Sequence, residues 1–224
     1  RWSSVVVPCL VVSTLNPALC AFTHLDFMEH DAFVASMLAK HQHVESLVFR
    51  RAVDYNSLKK FAPFTLRSLS LRFDDNVRNN RDDEDALCNL LRELKISSLL
   101  LHFFDRPLSD AICERKSITN VSFRCCKLQH ETLVAFFRAA VWLSSVSFQD
   151  VQLESASEWP SVFHSLVSLN LSRFTFLAND TVFTDAKTNI QVVPFLHRPS
   201  LRSVCWTVPE QFDGSDVEEL VAAL

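Results

Sequence analysis

The chain has 224 residues, 48% hydrophobic and 21% charged, with a formal net charge of −4 at neutral pH. That balance excludes an intrinsically disordered chain, which lacks the apolar surface to offset the entropy of ordering. It also excludes a protein whose whole surface is basic for nucleic acid, and the single glycine, Gly214, leaves no phosphate-cradling loop or dinucleotide fingerprint.

Read from the N-terminus, one pattern recurs: apolar-x-x-apolar-x-apolar. After a degenerate copy at Trp2-Val5-Val7 it appears as Phe22-Leu25-Phe27, Val44-Leu47-Phe49, Leu66-Leu69-Leu71 and Ile96-Leu99-Leu101. It continues as Ile118-Val121-Phe123, Leu143-Val146-Phe148, Leu166-Leu169-Leu171 and Leu201-Val204-Trp206. Successive intervals from Phe22 are 22, 22, 30, 22, 25, 23 and 35 residues. Each triplet predicts a short strand, because period-2 alternation sends its last two apolar residues to one face.

Between strands the apolar period turns helical. Phe33, Met37, Leu38 and His41 predict one helix, and Ala86, Leu87, Leu90, Leu91 and Leu94 another. Leu133, Phe136, Phe137 and Ala140 predict the clearest one. Asp82, Asp83, Glu84 and Asp85 precede the second helix, where acids favour the positive end of the dipole. An acidic recognition patch is the competing reading. The long intervals place inserted loops at Asn76 to Arg81 and Leu177 to Asn189, which are candidate contact segments on one rim.

One strand plus one helix cannot bury its apolar face alone, whereas a stack of such units can. The segment Ile118-x-x-Val121-x-Phe123-x-x-Cys126-x-Leu128 resembles the consensus of the ribonuclease-inhibitor-like and cysteine-containing leucine-rich repeats. Leu143 to Leu153 and Leu166 to Phe176 keep the same apolar spacing, with Val151 and Phe174 where Cys126 sits. The resemblance implies an α/β fold in which residues 1–224 form one curved leucine-rich-repeat solenoid of about eight repeats. A parallel sheet would line its concave face and helices its convex face.

The position after the third apolar residue of each strand reads Met28, Arg50, Arg72, His102, Arg124, Gln149, Ser172 and Thr207. Four consecutive repeats thus place Arg or His on the predicted concave face, where strands about 4.8 Å apart would align them as a ridge. Arg51 and Arg173 follow one residue further on, beside Phe73 and Phe103. Such a ridge suits a protein partner with an acidic or phosphorylated surface, or a nucleic-acid backbone. Exposed arginines that pair locally with acids are the plainer reading.

Cys125, Cys126 and His130 could hold a metal or pair a nucleophile with a base, but no second Cys/His pair lies at ligand spacing. The repeat instead makes Cys126 a packed interior residue. His41 and His43 read as helix-end histidines rather than ligands. Seven cysteines without disulfide or zinc spacing favour a reducing compartment, cytoplasm or nucleus.

Ser215 and Glu218 form a capping-box pattern before Val217, Leu220, Val221 and Leu224. With no polar capping repeat after that helix, further repeats or another subunit are expected to cover this end, as in a fragment of a longer protein. No cofactor and no membrane contact is expected.

The expected function is a non-catalytic interaction scaffold. The cysteine-containing repeats resemble those of F-box proteins, which implies substrate recognition in a ubiquitin-ligase adaptor. An innate-immunity-type sensor is similar in kind. Two readings stand beside it: a ribonucleoprotein or nucleic-acid-binding subunit using the basic ridge, and a GTPase-activating protein, the activity of one ribonuclease-inhibitor-like family.

Overall fold

In the computed structural model, residues 4–7, 24–27, 45–49, 67–72, 89, 91, 94–104, 116–177, 195 and 198–206 are described. The chain divides into two compact units, residues 1–103 with 109–118 and residues 104–108 with 119–224.

In the first unit the triplets become strands β1 (Ser4–Val7), β2 (His24–Phe27), β3 (Ser46–Phe49), β4 (Ser68–Arg72) and β5 (Ser98–His102). Each pairs in parallel with the next, so like positions align: Val5, Leu25, Leu47, Leu69 and Leu99 form one row. Leu47, Leu69, Leu71, Leu99 and Leu101 are buried, as period-2 alternation requires of one face. Asn89 and Leu91 are helical, and Leu91 and Leu94 are buried.

The second unit runs β6 (Asn120–Arg124), α1 (His130–Ala139), β7 (Ser145–Gln149), a 3-10 turn (Ala156–Glu158), α2 (Trp159–Leu166), β8 (Arg173–Leu177) and β9 (Ser203–Trp206). Its strands are again parallel and in chain order. Helix α1 turns Leu133, Val134, Phe136 and Phe137 inward, at the spacing that puts them on one helical face. The 3-10 turn that leads into helix α2 is held by side-chain contacts. The Ser155 hydroxyl accepts from the Ser157 N–H, and the Glu158 carboxylate accepts from the Ser155 N–H. At its other end Arg198 donates to the carbonyls of Leu166, Val167 and Leu169, at and just beyond the last turn of the helix.

The core of this unit is aromatic. Phe123, Phe148, Phe176 and Trp206 occupy one register row, with consecutive rings 5.7, 6.0 and 4.8 Å apart. Phe136 and Phe137 from α1, and Trp159 and Phe163 from α2, close on this row. Fully burying each such side chain contributes about 2–3 kcal/mol.

Strands β4, β5, β7 and β8 start in the same way. One carbonyl takes the N–H groups of two successive residues of the next repeat: Glu45 from Arg67 and Ser68, Arg67 from Ser97 and Ser98, Thr119 from Ser144 and Ser145, and Ser144 from Ser172 and Arg173. The hydroxyls of Ser97, Ser144 and Ser172 donate to the same carbonyls as their own N–H groups. Serine is small enough to enter that close approach and supplies one more donor.

One strand departs from the sequence expectation. Leu166-Leu169-Leu171 does not form a strand, because Leu166 closes the apolar face of α2. The strand triplet is Leu171-Phe174-Phe176, so Phe174 aligns with Val121 and Val146 and not with Cys126. Leu143 to Leu171 is then 28 residues and Leu171 to Leu201 is 30, which removes the 35-residue interval. Leu177 belongs to β8 rather than to an inserted loop. The segment contains two overlapping copies of the pattern that share Leu171. The helix claims the first, since Trp159, Val162, Phe163 and Leu166 are buried together.

Candidate functional site

Alternation along the strands turns one set of side chains away from the packed helices and the aromatic core, and this face, on which Ser70 is nonetheless buried, is the candidate site. In the first unit it carries Arg72 and His102 as direct neighbours in register. The Arg72 guanidinium lies 4.6 Å from the ring centroid of Phe103, a cation–π arrangement. Three of the residues singled out in the sequence thus come together here. Arg50, Arg51 and Phe73 lie outside the described residues, as do His41, His43, the acidic run at 82–85 and residues 207–224.

In the second unit the row after the third apolar residue reads Arg124, Gln149 and Leu177. Leu177 takes the place expected of Ser172. Arg173 accordingly sits not beside that row but at the opposite end of β8, in register with Ser145 and Ser203. Both Arg124 and Arg173 are exposed. Between them lie Ser122, Ser147 and Thr175, one row of short hydroxyl side chains. No carboxylate occupies an open-face position on β6 to β9. This acid-free face escaped the sequence reading because it depends on the register of β8.

The turns after β5, β6 and β7 take a left-handed backbone: φ is 55° at Phe103, 52° at Cys125 and 54° at Asp150. In the second unit that conformation lets the N–H groups of Cys125 and Asp150 donate to the carbonyls of Gln149 and Leu177. The Cys125 thiol lies 3.8 Å from an Asp150 carboxylate oxygen. Burial, reinforced by the negative charge of Asp150 and opposed by Arg124, pushes that thiol above its ordinary range. A thiol kept protonated is a poor nucleophile. Cys126 is fully buried and donates to the Arg124 carbonyl at 3.2 Å. His130 Nδ1 lies 3.8 Å from a Glu131 carboxylate oxygen. Among the described residues no three His, Cys, Asp or Glu side chains converge as metal ligands. No described helix is long and apolar enough to cross a membrane.

A cavity of about 300 Å³ opens where Lys127 bridges to Gln152, lined also by Leu128, Gln129, Leu153 and Glu154. It pairs one basic with one acidic side chain and has no charge preference of its own. Comparison with protein-family models and with curated proteins finds no match to this chain.

Proposed function

We propose that the chain is a leucine-rich-repeat solenoid that works as a non-catalytic scaffold, binding an acidic or phosphorylated segment of a partner protein on the open face of its sheet. The observation that carries this reading is Arg72 beside His102 with its guanidinium over Phe103. The ring contact fixes the plane of the guanidinium, and a planar guanidinium fork matches carboxylates and phosphates in geometry. Strand-borne side chains are also positioned more rigidly than loop-borne ones. Substrate recognition in a ubiquitin-ligase adaptor, or ligand sensing of the innate-immunity type, would each use such a surface. The free thiols of Cys125, Cys126 and Cys205 fit a reducing compartment, cytoplasm or nucleus.

The test is capture of partners from nuclease-treated lysate by the native chain and by an Arg72→Glu/Arg124→Glu variant with an unchanged circular dichroism spectrum. Loss in the variant of a partner that the native chain retains supports the reading. Identical partner sets, or capture that disappears with nuclease alone, refute it.

A further inference from the structure

We infer that the open face of the β6–β9 unit receives an extended protein segment carrying two anionic side chains about five residues apart, one meeting Arg124 and the other Arg173. This rests on the scaffold reading above and adds the spacing its partner must have.

The geometry is that of two separated anchors on a neutral floor. Arg124 closes β6, whereas Arg173 opens β8, two strands away and four residues back in register. With strands about 4.8 Å apart and a rise of about 3.3 Å per residue, their Cα atoms are roughly 16 Å apart. That exceeds the screening length of about 8 Å at physiological salt, so each arginine acts as a separate site. Neither forms an ion pair among the described residues. Ser122, Ser147 and Thr175 are too short to obstruct a chain crossing between the anchors, and their hydroxyls can bond its backbone. An extended chain covers roughly 16 Å in about five residues.

The same face disfavours a nucleic-acid strand. That ligand carries a phosphate at every nucleotide, which would set charge over the neutral floor. It also stacks its bases on aromatic rings, and no open-face position on β6 to β9 is aromatic.

The experiment measures fluorescence anisotropy of labelled polar peptides, bearing one phosphoserine or two placed one, five or ten residues apart, against the full chain. The five-residue spacing should bind about tenfold more tightly than the other spacings or either singly phosphorylated peptide, since the second contact is then intramolecular. In Arg124→Ala one phosphate should become dispensable, and in Arg173→Ala the other. The peptide series needs no change to the protein, so it stands even where a variant fails to fold. Equal affinity at all spacings, both variants losing dependence on the same phosphate, or tighter binding of a thymidine oligonucleotide would overturn the inference. If no phosphopeptide binds while the Arg72→Glu/Arg124→Glu variant still loses its partners, this inference falls and the scaffold reading survives.

Discussion

Replacing Phe148 tests whether the aromatic row carries the core of the second unit. Its side chain is 1% exposed and has five rings around it: Phe123 at 5.7, Phe137 at 6.0, Trp159 at 5.2, Phe174 at 6.3 and Phe176 at 6.0 Å. Contacts arrive from the strands on both sides and from both helices, so the surroundings cannot close over a cavity without moving several elements. Phe148→Ala should therefore cost about 3–5 kcal/mol, the range for a buried aromatic truncated in a rigid site. Trp206 belongs to the same row but is only partly buried, and Trp206→Ala should cost about 1–2 kcal/mol. Urea unfolding followed by far-ultraviolet circular dichroism measures both. With a slope of roughly 2–3 kcal/mol per molar, the Phe148 variant should unfold about 1.5 M earlier. A Phe148→Ala loss no larger than that of Trp206→Ala would refute the argument, because the row would then not be held from both sides.

Two further outcomes follow from polar contacts. Arg198→Ala leaves three carbonyls at the end of α2 without their shared donor and should cost about 2 kcal/mol, seen as a lower midpoint of thermal unfolding, with Arg198→Lys restoring part of it. Because burial and Asp150 hold the Cys125 thiol protonated, its alkylation by iodoacetamide at neutral pH should be slower than that of the exposed Cys205. Asp150→Asn removes a charge that opposes the thiolate, so it should lower the thiol's pKa and speed the reaction. No change in rate would show that desolvation acts alone. The linkage has a matching sign. A pKa raised in the folded state favours the protonated native form, so this contribution to stability is present at neutral pH and is lost as pH rises through the folded pKa.

The periodic pattern located strands β1 to β7 and β9 at their triplets. It failed at β8, where Leu171 ends one copy and begins another. Arg72, His102 and Phe103 were legible as a group because they occupy one repeat position and its neighbour. Arg173 was legible as an exposed arginine but was assigned to the wrong end of its strand. The shared carbonyls at the strand starts left only a faint trace, the serines at 97, 98, 144, 145 and 172, since serine is common wherever a chain turns.

By itself the sequence determined where eight of the nine described strands lie and, among the described residues, most of the leucines and phenylalanines that are buried. Those follow from local periodicity, which each segment carries independently of its neighbours. Tertiary structure decided the rest. Whether Leu166 is helix or strand depends on what Trp159, Val162 and Phe163 pack against, and packing is a property of several segments at once. Once that choice is made, every side chain of β8 is placed, since a strand's register assigns residues alternately to its two faces. The acid-free surface between Arg124 and Arg173 is a consequence of that single choice.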